Sequence, residues 1–372
     1  MKKKLNIAFF GSSIVSAYWN GAATYYRGIV KALHKKGHSV TFYEPNILDR
    51  QKHRDIEDPE WCEVVVYEED SVTLRGLLRK AQEEADVLIK ASGVGVFDEL
   101  IEKEITQLKR KDNLIVFWDV DAPATLDRME NDQNDPFREV VPDYDLILTY
   151  GGGTTVQEAY KKFGAKECIP IYNALDRDIH FRVEPNSKFD ASLAFLGNRL
   201  PDRESRVEEF FLQPAKNLDN QKFILGGSGW GDKELPKNVN YLGHVYTKDH
   251  NAFNCTPKAV LNISRDSMAR YGFSPATRVF EAAGSGACII TDYWKGISQF
   301  FEPGKEILVA KNGEEVKNIL KELDDEEAKA IGDAAYERVL AEHTYERRVE
   351  QLEKLISEKL ALDKKEPLNQ QS

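Results

Sequence analysis

Arg278 and Glu281 stand three residues apart at the head of the stretch TRVFEAAGSGACIITD, residues 277–292, where small residues and a glycine lead into a β-branched strand. The preceding SPAT predicts a helix start, with Ser274 as a favoured N-cap and Pro275 as a favoured first helical residue. The N–H groups of Ala276 and Thr277 then lack partners within the helix, and such an end attracts phosphate through its donors and its dipole. Arg278, in the first turn, adds a guanidinium that can hold phosphate by two parallel hydrogen bonds. Glu281 follows Ser274 by roughly 10 Å along the axis at 1.5 Å per residue. A carboxylate there can accept two hydroxyl hydrogen bonds, as a ribose diol requires. Ala282, Ala283, Gly284, Ser285 and Gly286 keep the flank low for a ligand. Two plainer explanations stand beside this one: small residues serve close helix–sheet packing, and Arg278 with Glu281 forms a surface ion pair.

The stretch FWDVDAPAT places Asp119 and Asp121 at the end of a strand. Either can act as a base, and alternation along the strand points both to one side, where repulsion would raise one pKa. Alternatively Asp121, before Ala-Pro, caps a turn. The DVD triplet mimics a metal-binding DxD, but the layout of the chain differs from folds that use one, so no metal is expected. His180 and His244 are further candidate bases, His180 reading more simply as a solvated linker residue. GGGTT, residues 151–155, reads as an anion cradle or, preferred, a tight strand–helix turn. GGSGW, residues 226–230, shapes a base pocket or punctuates a loop.

Elements able to position these residues alternate along the chain. LNIAFF, SVTFYE, DVLIKA, NLIVFW, DLILTY and CIPIY read as buried parallel strands, separated by amphipathic stretches such as 24–36 and 74–84. Residues 173–190 are polar and aperiodic and read as a linker. A second series follows, SLAFLG, KFILGG, VNYLGHV, AVLNIS, ACIITD and EILVAK, with helices over 203–214 and 275–285. Residues 324–362 read as helical with a break near EHTY, and 363–372 as a disordered tail.

The fold class predicted is α/β, two Rossmann-like doubly wound domains facing a central cleft: 1–180, 190–342, and a helix over 343–362. The 372 residues suit two domains. A net charge of −11 with mixed signs argues against a nucleic-acid partner. Four scattered cysteines predict neither disulfides nor a zinc knuckle and suit a reducing cytoplasm. No apolar run is long enough to span a membrane, and MKKKLNIAFFGSS reads as a first strand, with loose membrane contact still open.

With these motifs in view, TRVFEAAGSGACIITD followed by GISQFFEPGKEILVAKNGEEV resembles the C-terminal half of GT-B glycosyltransferases of group 1, nearest the CgeB-like, spore-maturation branch. LAFLGNRLPDRESRVEEF, NVNYLGHVYTKDHNAFN and LNISRDSMARYGFSPATRVFEA resemble further parts of that domain, and in the first half GAATYYRGIVKALHKKGHSV resembles the glycine loop and strand entry of the group. The resemblance implies a nucleoside-diphosphate sugar, with UDP or GDP as the nucleotide, as co-substrate and no other cofactor. It implies Glu281 on the ribose, and Arg278, Thr277 and the backbone near Ser274 on the diphosphate. Either Arg199 or Arg203 would face the same phosphates, Gly243 and His244 the base, and Gly21 the underside of the donor, with Asn198 a further substrate-binding residue. The family's second glutamate, eight residues before the ribose one, is replaced by Phe273, leaving Tyr271 and Ser274 as neighbours that can contact the sugar. The terminal helix is expected to return to the N-terminal domain.

The function expected is metal-independent transfer of a sugar to a glycan, lipid or protein acceptor, in the cytoplasm. The alternatives are a nucleotide-sugar epimerase on the same fold and a non-catalytic coat or envelope assembly protein.

Overall fold

The apolar runs of the first half form a sheet of seven parallel strands: β1 Asn6–Phe10, β2 Ser39–Pro45, β3 Glu63–Tyr67, β4 Val87–Ala91, β5 Leu114–Asp119, β6 Leu146–Thr149 and β7 Cys168–Pro170, in the order β3-β2-β1-β4-β5-β6-β7. The structure is a computed structural model that describes residues 3–18 and 20–363. Every residue of β4, β5 and β6 is buried, so those strands read as unbroken apolar runs. β3 escapes a sequence reading because it is an edge strand with only its last residue buried.

The second series forms a separate six-stranded parallel sheet: β8 Leu193–Leu196, β9 Phe223–Gly226, β10 Val239–Gly243, β11 Ala259–Asn262, β12 Ile289–Asp292 and β13 Leu308–Ala310, in the order β10-β9-β8-β11-β12-β13. The order reverses between β8 and β11. Loops leaving the carboxyl ends of those two strands diverge there and open a crevice, the usual ligand position in such sheets. Below it the core is aromatic: Phe195, Phe211, Phe223 and Trp230 are all fully buried, and the Trp230 indole N–H donates to the Gly197 carbonyl at 2.8 Å. The GGSGW loop therefore ends in a core anchor.

The two sheets belong to two compact units. The first takes the described residues up to Tyr172 and from Tyr345 onward; the second is Asn173–Thr344. Residues 173–190, read as a linker, are instead part of the second unit. Ala174, Leu175, His180 and Phe189 are buried. The Arg182 guanidinium lies 3.9 Å from the Tyr336 ring centre and pairs with Asp333 at 2.5 Å. Polar composition hid this segment because its few apolar residues carry no period.

The helix Tyr345–Asp363 packs in the first unit against the helix Ala23–Lys35. Its first side chain fills the space above Gly28: a Cβ there would stand 2.2 Å from the Tyr345 ring. A buried pair joins the same helix to the loop before β2. The Leu5 N–H donates to His38 Nδ1 at 3.1 Å, so the ring proton sits on Nε2 and points to Glu353 Oε1 at 3.1 Å. The tail expected over 363–372 lies, from residue 364 on, outside the described residues.

All four cysteines are free. Burial pushes the thiols of Cys62 and Cys288 up to about 12 and raises that of Cys168 further, while Cys255 is half-buried and raised less. Among the described residues no helix is long and apolar enough to cross a membrane, and no group of three His, Cys, Asp or Glu side chains could hold a metal ion.

Candidate functional site

The strongest cluster sits at the reversal point of the second sheet, on the loops after β8 and β11. Gly272 and Phe273 both have positive φ, 69° and 48°, and turn the chain sharply. The helix then runs Thr277–Gly284. It starts later than the sequence predicts: the N-cap is Ala276, no side chain caps it, and the Ser274 hydroxyl donates back to the Gly272 carbonyl at 3.0 Å. The turn at 272–273 consumes the residues expected to open the helix. The consequence favours an anion site, because no side-chain hydrogen bond caps the helix end. Glu281 then follows the N-cap Ala276 by about 7.5 Å along the axis rather than 10 Å.

Two guanidiniums lie against one aromatic ring at this end. Arg203 lies 5.7 Å and Arg278 5.9 Å from the Phe195 ring centre. Arg278 is half-buried, and no carboxylate among the described residues hydrogen-bonds its guanidinium. Desolvation pulls its pKa down to about 10; Glu281 opposes that shift and the charge of Arg203 adds to it. Arg203 is also lowered, first by burial. Its Nη2 donates to the Asn198 carbonyl at 2.6 Å, and its buried Nε has no partner. Two crowded cations and an orphaned donor are relieved by one bound anion.

Arg199, the alternative phosphate ligand, faces elsewhere. It forms a two-pronged pair with Glu204 at 2.8 Å and reaches Asp232 at 2.9 Å. Those carboxylates satisfy it. Asn198 is placed by its Oδ1, which accepts from the Ser228 N–H at 2.9 Å. Gly243 closes β10 with φ 68° and open space where a Cβ would stand, and its carbonyl accepts from the Gly227 N–H at 2.7 Å. His244 meets the exposed Tyr246 edge to face at 4.6 Å. Tyr271 is half-buried beneath Arg270. Phe273 is buried, its ring against Gly296, so it fills rather than lines the site.

The small residues after Glu281 answer to packing. Ala282, Ala283 and Gly284 are buried, and a Cβ on Gly284 would stand 2.3 Å from Leu175. What lies against that flank is the chain itself.

In the first unit the two aspartates part company. Asp119 is wholly buried: Oδ1 accepts from the Asp121 N–H and the Thr125 hydroxyl, both at 3.0 Å, and Oδ2 from the Tyr160 hydroxyl at 2.5 Å. Its pKa is raised, with burial the largest cause. With both oxygens bonded and no water access, Asp119 organises the loop instead of serving as a base. Asp121 is exposed at the N-cap of the helix Ala122–Asn131. Gly21 is exposed with open space around it. GGGTT is a tight turn: Gly152 has φ 89°, and a Cβ on it would strike Val156.

Residues 203–354 match the family model described as glycosyl transferase-like. Among proteins with curated functions none matches the sequence. Solved structures align over nearly the whole length. Sucrose-phosphate synthase from Thermosynechococcus elongatus is 13% identical with TM-score 0.67, over 97% of this chain and 100% of that one. The Anabaena protein HepE in complex with UDP-glucose is 15% identical with TM-score 0.65, over 96% and 100%. An alpha-glucosyltransferase in complex with UDP and DNA is 13% identical with TM-score 0.64, over 95% and 100%. This is a GT-B glycosyltransferase fold.

Within the GT-B fold, three participants were invisible in the sequence or misread there. Phe195, inside an ordinary apolar strand, gave no sign that it would carry two guanidiniums. His180 is buried, not solvated, with Nε2 3.5 Å from Glu281 Oε1. His250 stacks beside it at 6.4 Å. Histidine beside an apolar residue at 179–180 was the available signal, masked by the polar run around it.

Proposed function

We propose that the protein is a glycosyltransferase that moves a sugar from a nucleoside-diphosphate sugar to a glycan, lipid or protein acceptor. The reading rests on one observation above others: Arg203 and Arg278 converge on Phe195 beside a helix end that no side chain caps. In the reaction the bond from the anomeric carbon to the diphosphate oxygen breaks. The two guanidiniums and the helix N–H groups stabilise the negative charge left on the diphosphate. The acceptor oxygen bonds to the anomeric carbon and gives up its proton. Asp121, exposed where Asp119 is sealed, is the aspartate able to receive a proton from a substrate.

Glu281 accepts from the ribose diol, Thr277 and the backbone near Ser274 adjoin the diphosphate, Gly243 and His244 adjoin the base, and Tyr271 adjoins the sugar. No metal is required, because the charge stabilisation comes from arginine. The motifs around 193–292 support placement in the CgeB-like branch, working in the cytoplasm. UDP is the first nucleotide to test, since solved neighbours carry it.

Thermal-shift titration with UDP, GDP and their sugars tests the reading. One nucleotide family is expected to stabilise the protein. Glu281→Ala is expected to weaken that nucleotide about tenfold, the worth of a hydrogen bond to a charged group. Unchanged affinity in the variant would remove Glu281 from the site. Phe273, buried where the family resemblance implies a carboxylate, favours a second reading, a coat or envelope protein that binds the donor without turning it over. Nucleoside diphosphate released in the presence of an acceptor separates the two.

A further inference from the structure

His180 is held on three sides. Its backbone N–H donates to the Asp176 carbonyl at 2.9 Å, the neighbouring Ile179 carbonyl accepts from Asn251 Nδ2 at 2.9 Å, and Arg182 is fixed by Asp333 and Tyr336. The imidazole is 8% exposed, while the Glu281 side chain it faces is 24% exposed. One end of this pair is thus locked into the unit and the other is open to a ligand. The His250 ring lies nearly parallel, 17° from that of His180, with its Nε2 3.1 Å from the Val245 carbonyl. A carbonyl only accepts, so His250 spends its proton there and has no donor for Glu281 from that nitrogen. Arg278 acts on Glu281 by charge alone. His180 is therefore the side chain in position to fix the carboxylate.

We propose that His180 is a positioning residue for the donor's pentose: its Nε2–H donates to one oxygen of Glu281, fixes the carboxylate plane, and leaves the other oxygen to accept from the ribose diol. The proposal rests on the reading of Glu281 as the ribose ligand. The present 3.5 Å is longer than an ordinary N–H···O bond, and such bonds close when the ligand is in place. Nδ1 is buried without a partner. A bare Nδ1 acceptor is tolerated more readily than a buried N–H donor with nothing to meet, which favours the tautomer with the proton on Nε2. A carboxylate oriented before binding spares the ligand the entropy of ordering it.

Calorimetry on the full chain tests this with UDP and GDP, each against its 2′,3′-dideoxy analogue. The wild type is expected to prefer the ribose form by about tenfold. His180→Asn, which places no nitrogen where Nε2 was, is expected to lose most of that preference by weakening the ribose form alone. His180→Gln, whose amide nitrogen reaches the same place, is expected to keep it. If His180→Asn weakens both forms equally, or leaves the preference intact, the positioning role is overturned. If the wild type binds neither nucleotide or shows no ribose preference, the underlying site assignment fails instead, and the proposal with it. Should His180→Asn not fold, nitrogen NMR of the wild type gives the answer. UDP is then expected to bring out a protected His180 Nε2–H resonance that the dideoxy form does not, and its absence counts against the proposal.

Discussion

Arg278→Met is expected to weaken nucleoside-diphosphate binding about a hundredfold, the worth of a two-pronged charged contact, without destabilising the unliganded protein. The two effects diverge because the folded state does not favour this charge. Desolvation, with Arg203 beside it, brings the Arg278 pKa down to about 10, below that of an unfolded arginine. The charged form is therefore disfavoured by folding at neutral pH, and stability on this account rises only as pH climbs past that value. Methionine keeps an unbranched stem over Phe195 and removes the charge. Arg199→Met is the control, since its guanidinium is tied to Glu204 and Asp232 and should change affinity little. Titration calorimetry with UDP and urea melts of both variants read the two quantities. A lower urea midpoint for Arg278→Met with unchanged affinity would mean that the residue is structural.

Gly28→Val should be strongly destabilising to the first unit, on the order of 3 kcal/mol from overpacking. The new Cβ would stand 2.2 Å from Tyr345 Cε2 and 2.5 Å from Cζ, inside the atoms of a buried ring. Tyr345 cannot swing aside cheaply, because Tyr25 packs against it at 6.2 Å and the helix behind it is anchored by Glu353 and by Arg348, whose Nε donates to the Tyr172 carbonyl at 3.2 Å. Adding Tyr345→Ala should return part of the loss, since the ring is then gone. Urea midpoints of the two single variants and the double give the coupling. Losses that simply add would show that the clash is relieved some other way.

The architecture was legible because burial on both faces of a sheet leaves a mark that survives in one dimension. All six strands of the second sheet and six of the seven in the first stand where apolar runs predicted them, and β3 was lost because an edge strand needs no such run. Glu281 and Arg278 were legible as residues of one helix, which the structure bears out over Thr277–Gly284. Their exact setting was not: the helix start moved from Ser274 to Ala276 because two positive-φ residues at 272 and 273 spend the chain in a turn. Asp119 and Asp121 differ by two positions and read alike, yet burial by Tyr160 and Thr125, distant in sequence or on the next turn, separates them. The same limit hid His180, whose partners Glu281 and His250 lie far along the chain.

The distribution of sulfur gives each unit a built-in probe of its own opening. A thiol must ionise and meet reagent to be alkylated, and Cys62 and Cys168 in the first unit and Cys288 in the second do neither while folded. Cys255, half-buried, is expected to label first in native protein. Mass spectrometry of pulse-labelled peptides at rising urea should then time the exposure of 62 and 168 against that of 288, reporting whether the two units come apart together or in turn. Prompt labelling of Cys288 in the absence of denaturant would contradict the packing described for it.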